Sequence, residues 1–511
     1  MRQGSGVNSE STSAATAVEK GRDLEAYFAP FRRNIVGIDQ SFPTPFGDRR
    51  IVYFDWTASG RLFEPIERNL VTGLGPYVGN THTESSVTGT LMTQAYHRAH
   101  VIIKRHVNAG PDDVILTTGS GMTGVLVKLQ RMLGLKVPDR LRSYVNIPDE
   151  LRPVVFISHM EHHSNHTSWL ETIADVECIE PDEQGLVNLD NLRSLLIKHK
   201  YRKTKIGAFT AGSNVTGIRP PIHAMAAIMH EFGGYCFVDY AAAAPYVDIN
   251  MHPEDPAERL DAIFFSPHKF LGGPGAAGVL VFDSSLYDNE VPDQPGGGTV
   301  DWTNPWGGRK YIDGIELRED GGTPAFLQSI KAALAVELKE EMGTAKIRAR
   351  EDQLLATALD GLRRIPHLHV LADHLQERLG IVSFYVEHIH YNLAVRLLND
   401  RFGIQVRGGC SCAGTYGHYL LHVDPLQSKL ITDKIDHGDL SEKPGWVRMS
   451  FHPTTTDEEM AYVVDAIGQV VRRHDEWSSD YRYDSACNEF LPTRPQTLSG
   501  QMLGRWFRSA D

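Results

Sequence analysis

The segment Asp261–Phe282, DAIFFSPHKFLGGPGAAGVLVF, decides how this chain folds. It opens on an apolar run, Ala262–Phe265, and turns through Ser266, Pro267, His268 and Lys269. It then passes Gly272, Gly273, Pro274 and Gly275 before a second apolar run, Val279–Phe282. Aromatic and β-branched residues bounded by Gly and Pro are the signature of strands. The expectation is two strands joined by a stiff, glycine-rich loop, with Lys269 at the exit of the first. A lone His-Lys pair in a turn is ordinarily surface decoration, so the weight falls on what the rest of the chain brings to this point.

Upstream, strand, loop and helix alternate. Val154–Ser158, Ile206–Ala211 and Tyr235–Asp239 read as strands, and Ile222–Phe232 as a helix. Val114–Leu116 enters a Thr/Gly/Ser turn, after which Val125, Leu126, Leu129 and Leu133 recur at helical spacing. This pattern predicts an α/β fold with a mostly parallel sheet flanked by helices on both faces. In such sheets ligands bind beyond the carboxyl ends of the strands. His162, His163, Asn214, Asp239 and Lys269 each follow a strand end, so one shared site is expected. Free N–H groups where the helix begins, near Ser120 and Gly121, suit a phosphate. A lysine fixed at a strand exit is how a protein holds pyridoxal phosphate as a Schiff base.

Composition bounds the alternatives. A chain of 511 residues, 41% hydrophobic and 23% charged, is that of a globular protein with more than one domain. A net charge of −13 argues against a nucleic-acid partner. Five cysteines, odd in number and irregularly spaced, point to a reducing, cytoplasmic setting. Cys410 and Cys412 form Cys-x-Cys, which does not match zinc spacing, so no metal is expected. No apolar run reaches the roughly 18 residues a membrane span needs, and the N-terminus lacks a signal or transit pattern.

Residues 1–22, rich in Ser, Thr and Ala, read as a disordered tail. Residues 23–325 are expected to form the large domain. Residues 326–475 would supply one long helix, Phe326–Asp360, and a smaller α+β domain, and 476–511 a C-terminal extension with no clear period. Gln294–Val300 reads as a flexible loop and Leu421–Gly445 as a charged surface insertion.

A series of motifs runs in order along residues 35–475: FDWTASGR (54–61), GNTHT (79–83), TTGSG (117–121), MEHHSN (160–165), NVTG (214–217), FFSPHK (264–269), GGGTV (296–300), GGTP (321–324), RGGCSCAG (407–414) and RMSFHPTTTDEE (448–459). Together they resemble the class V, fold-type I pyridoxal-phosphate enzymes, and within them the cysteine desulfurase and selenocysteine lyase branch. The resemblance implies a seven-stranded-type sheet in the large domain, pyridoxal 5′-phosphate as cofactor and a homodimer. Lys269 would form the Schiff base and shuttle protons at Cα, Asp239 would pair with the pyridinium nitrogen, and His162 would stack on the ring. Ser266 and His268, with the backbone at Ser120 and Gly121, would hold the phosphate. The loop at Gly298 and Thr299 would reach the phosphate of a neighbouring subunit. Arg448, assisted by Asn214, would bind the carboxylate of a small amino-acid substrate.

Cys412, five residues after Arg407, stands at the position of the desulfurase nucleophile, with Arg407 and His418 available to make its surroundings positive. The implied reaction removes sulfur from cysteine, leaving alanine and an enzyme persulfide for a sulfur-acceptor protein. The same cofactor could instead serve transamination, racemisation or C–S elimination without a catalytic cysteine, and a scaffold that kept the fold is a third reading. Three departures from the branch stand out: Ala242 where it carries Gln, GGCSCAG where it has a His-His-Cys arrangement, and a longer chain with an insertion between Cys412 and Arg448 and an extra tail.

Overall fold

The computed structural model describes residues 23–119, 121–494, 503, 504, 506 and 507. The expected tail at 1–22 and Ser120 lie outside the described residues.

The central sheet has seven strands, in the spatial order Asp113–Thr118, Gly278–Asp283, Ala262–Phe265, Tyr235–Asp239, Lys205–Thr210, Val154–Ser158 and Asp175–Ile179. All neighbours are parallel except Gly278–Asp283, which runs antiparallel to both of its partners. The strands are almost wholly apolar because both faces are covered. Their period of two sorts them cleanly. Val155, Ile157, Phe237, Phe264 and Leu280 join the cluster under the helix Met122–Met132. Val154, Phe156, Val238, Ile263, Phe265 and Val281 join the cluster containing the helices Ile222–Glu231 and Phe326–Met342. A second, antiparallel sheet orders Leu368–Val370, Ile381–Val386, Trp446–Ser450 and Arg407–Gly409, and has its own core.

Two short parallel segments, Val52–Tyr53 and Ile404–Gln405, tie the N-terminal stretch to this second sheet. That pairing carries Asp55 to the edge of the strand bearing Arg448, where the backbone of Phe54 accepts from Ser450.

Three sequence expectations need correction. The helix expected over Phe326–Asp360 is two helices, Phe326–Met342 and Thr344–Arg363, broken at Gly343. Gly343 takes φ 75°, a conformation glycine adopts without strain and which ends the first helix; strong helix formers on either side hid the break. The insertion at 421–445 contains a helix, Pro425–Asp436, opened by an Asp424/Gln427 capping box. The extension beyond 476 holds a hairpin, Tyr481–Asp484 with Glu489–Pro492. The Gln294–Val300 loop leads into a second hairpin, Val300–Thr303 with Arg309–Tyr311.

The lysine loop is set by glycine through close approach. A Cβ added at Gly273 would lie 1.8 Å from the carbonyl oxygen of Pro267, so the two arms of the loop can pack only without a side chain there. Gly273→Ala is expected to cost about 1–3 kcal/mol or more. A drop in the thermal midpoint together with weakened cofactor retention checks this; an unchanged midpoint contradicts it.

Candidate active site

A cavity of about 270 Å³ opens at the carboxyl ends of the central strands and is lined by residues of both sheets. Lys269, Asp239, His162, Asn214, Gly121, Ser266, His268, Cys412 and Arg448 all line it, so the residues that follow separate strands in sequence converge, except His163, which does not line the cavity and braces the Cys412 loop instead. Thr299 does not line it: it is fully buried and its hydroxyl donates to Gly296 O.

The floor is made by the strand ends. Lys269 leaves its strand through the turn Pro267–Lys269 and is no surface lysine: burial pulls its amine down to about 8, against the opposing pull of Asp239. Asp239 ends its own strand, 4% exposed, and accepts from Ala241 N–H at 2.8 Å. Burial pushes its carboxyl up to about 6, opposed by that N–H and by Lys269. His162 accepts the Ser164 N–H on Nδ1 at 3.1 Å. Burial first, then the charge of Lys269, lowers it to about 3, so its ring is neutral and free to present a flat face. Behind it, Glu161 accepts from Ser158 Oγ (2.6 Å), Asn165 Nδ2 (2.7 Å) and Thr210 N–H (2.9 Å), clamping two strand ends that position His162.

One end of the cavity suits a phosphate. Gly121, at φ 86°, caps the helix Met122–Met132 without any side-chain cap of its own, so that beyond Met122 the first-turn N–H groups stay open to a ligand. A Cβ there would sit 3.0 Å from Ser266 Oγ and 3.4 Å from His268 Nε2, so the bare glycine keeps this corner open. Met122 N–H donates to Ser266 Oγ at 2.9 Å, and the hydroxyls of Thr123 and Ser164 meet at 2.7 Å.

The other end is built around Asp55, which stands in the motif FDWTASGR with no role of its own legible there. Arg448 and Arg407 stand opposite each other on paired strands. Like charges so placed repel, and Asp55 answers both: Oδ1 accepts from Arg448 (2.8 Å) and Oδ2 from Arg407 (2.9 Å). Arg448 pairs here and not with the acidic run Asp457–Glu459. Arg448 also donates to Asn214 O at 3.1 Å. The Asn214 side-chain amide donates to Ser411 O at 2.7 Å, so one of its two N–H groups is committed to the loop.

Cys412 sits in a tight turn closed by Ala413 N–H donating to Cys410 O at 3.0 Å. Both central residues, Ser411 (φ 52°) and Cys412 (φ 57°), are left-handed, the arrangement of a type I′ turn normally given to Gly or Asn. Such positions persist where surroundings over-determine them. Here Asn214 holds Ser411 O, His163 N–H donates to Cys412 O at 2.7 Å, and Gly414 N–H donates to His163 Nε2 at 2.9 Å. Arg407 is near this loop but bound to Asp55. His418 faces away, with Nε2 against Ser428 Oγ at 2.8 Å, so it does not supply the positive surroundings expected of it.

Polar atoms left without partners mark where a ligand goes. Among the described residues, Thr57 Oγ1, Asn214 Oδ1, Ser411 Oγ and Arg448 Nε are buried and unpartnered, and all four residues line this cavity. The chemistry of the donor set fits pyridoxal phosphate: an amine of lowered pKa, an acid beneath it, a neutral imidazole and an uncapped helix start.

Comparison with known proteins agrees. The aminotransferase class-V sequence profile matches residues 52–463. A protein of Halalkalibacterium halodurans named "Probable cysteine desulfurase" is 28% identical over 367 residues, 71% of this chain and 84% of that protein. A cysteine desulfurase of Haloferax volcanii is 26% identical over 468 residues, 87% of this chain and 96% of that protein. Among solved structures, cysteine desulfurase CsdA of Escherichia coli superposes with a TM-score of 0.67 at 22% identity, over 87% of this chain and 98% of that one. The apo cysteine desulfurase of Thermococcus onnurineus NA1 gives 0.66 at 22% identity, over 83% and 95%. At that identity the structures establish the fold, and the profile establishes the lineage. The chain belongs to the aminotransferase class-V family and is a pyridoxal-phosphate-dependent enzyme.

Proposed function

We propose that this enzyme removes the sulfur of L-cysteine, producing alanine and a persulfide on Cys412. The observation that carries the reading is the thiol itself: Cys412 is held in a strained turn on the wall of the cavity that also contains Lys269 and Arg448. Desulfurase relatives support it.

Pyridoxal phosphate bound in the cavity supplies an electron sink for charge developing at the substrate Cα. Lys269 would hold the cofactor and would move the proton at the substrate Cα. Asp239 would hold the ring nitrogen protonated, and His162 would offer the ring the face of its neutral imidazole. Gly121, Ser266 and His268 receive the phosphate, with Ser120 assigned by its place in the sequence motif. Arg448 orients the substrate carboxylate, which also accounts for its unpartnered Nε. The Cys412 thiolate attacks the substrate sulfur, the carbon–sulfur bond breaks, and its electron pair with one proton ends on Cβ. A thiolate nucleophile needs access, and Cys412 is exposed.

The working unit in this reading is a homodimer whose Gly298–Thr299 loop completes the partner's phosphate site. A protein sulfur acceptor and a cytoplasmic location follow from the same reading, consistent with five unpaired cysteines. No helix among the described residues is long and apolar enough to cross a membrane.

Product analysis tests the proposal. Purified enzyme given L-cysteine and a reductant should release alanine and sulfide in equal amounts. Cys412→Ser should lose both while keeping the cofactor's absorbance. Pyruvate with sulfide, retained in that variant, would mean β-elimination and would sink the persulfide route.

A further inference from the structure

The turn that presents Cys412 carries a second thiol with a different outlook. Cys410 is the first residue of the turn and Cys412 the third, and the turn is closed by the hydrogen bond across it. Chain folded this tightly keeps the two α-carbons within the roughly 4.4–6.8 Å over which sulfur atoms can bond. Yet the thiols belong to separate spaces. Cys412 lines the catalytic cavity, whereas Cys410 lines a second cavity of about 170 Å³.

That second cavity has a purpose-built wall. The helix Pro425–Asp436 contributes Ser428, Ile431 and Ile435 to it, and contains no buried residue of its own. His418 pins the helix through Ser428 Oγ at 2.8 Å. Trp446, fully buried on the opposite wall, has an Nε1–H with no partner among the described residues. An apolar cavity several times the roughly 30 Å³ share of a water molecule, with one unsatisfied donor in a lining residue, is suited to a small polarisable guest.

We propose that Cys410 is a second sulfur carrier. The outer sulfur loaded on Cys412 passes to Cys410 and stays bound there as a persulfide facing the cavity beneath the 425–436 helix. The Cys410 thiolate attacks the outer sulfur of the Cys412 persulfide and forms a new S–S bond. The bond between that sulfur and Cys412 Sγ breaks, and Cys412 leaves as a thiolate that takes up the proton Cys410 gave up. No external oxidant or reductant enters this exchange. It frees Cys412 for another turnover while the sulfur waits outside the catalytic cavity, where a small thiol can collect it. This inference rests on the reading of Cys412 as the nucleophile.

The test is to give the holoenzyme L-cysteine without reductant, alkylate after successive times, and locate the extra sulfur by peptide mass spectrometry. Expected in the wild type is sulfur first on Cys412 and then on Cys410. In Cys410→Ser, alanine in the first turnover should match the wild type, but the sulfur should stay on Cys412 and later turnovers should slow severalfold. Sulfur confined to Cys412 in the wild type, with Cys410→Ser turning over normally, overturns the relay and leaves the desulfurase reading standing. Absence of alanine from the wild type overturns that reading, and the relay with it. Should Cys410→Ser fail to fold, the position of sulfur in the wild type decides alone.

Discussion

Lys269→Ala yields a protein that folds, stays colourless in the presence of pyridoxal phosphate, and turns over cysteine at least about 10³-fold more slowly. Two roles fail together. The amine that anchors the cofactor is gone, and so is the base that moves the Cα proton. The fold survives because Lys269 contributes no hydrogen bond that the neighbouring strands need; Phe270, Leu271 and the glycines that follow still pack. Absorbance spectra and single-turnover assays check both parts, and a visible band retained in the variant would place the attachment point elsewhere. The same amine sets a pH dependence. Attack on the cofactor's aldehyde needs the neutral amine, and burial lowers Lys269 to about 8. Uptake of pyridoxal phosphate by enzyme stripped of it should therefore rise about tenfold per pH unit below 8 and level off above. An ordinary lysine would keep accelerating past pH 10, so a plateau near 8 distinguishes the two.

How much of this was legible beforehand depends on whether a residue's neighbours are near in sequence. Lys269, Asp239 and His162 sit where strands end, and a parallel sheet gathers its strand ends, so their meeting could be argued from periodicity. Asp55 could not. It reaches Arg448 only because Val52–Tyr53 pairs with Ile404–Gln405, some 350 residues away, and no local pattern records that register. The turn at Ser411 and Cys412 was hidden for another reason: neither residue type advertises positive φ, and the conformation is imposed by Asn214 and His163 from elsewhere. Gly343 and the Pro425–Asp436 helix were misread because helix formers and charges dominate those windows and mask a single breaker or cap. Local chemistry announces itself, whereas long-range constraint must be observed.

Arg448→Ala should reduce kcat/KM for cysteine by roughly 30- to 5,000-fold, the effect of 2–5 kcal/mol from truncating one partner of a buried charge pair. The geometry says why the loss is specific to a carboxylate. Arg448 and Arg407 give two positive charges against the single charge of Asp55, leaving an excess of one beside the reacting centre. Arg448 is 3% exposed, with one terminal nitrogen on Asp55, the other on Asn214 O, and Nε unpartnered. A planar fork held on two sides can accept an incoming carboxylate in one orientation only, and that orientation fixes where Cα and the sulfur lie. Arg448→Lys keeps the charge but not the fork, so it should restore part of the binding and little of the rate. The decisive comparison is cysteamine, which is cysteine without its carboxylate. Wild-type enzyme should strongly prefer cysteine, and Arg448→Ala should erase the preference by slowing cysteine alone. If instead both substrates slowed equally, Arg448 would be bracing the strand Trp446–Ser450 against Asp55, and the carboxylate would have to be bound by Arg407, the more exposed partner of the same aspartate.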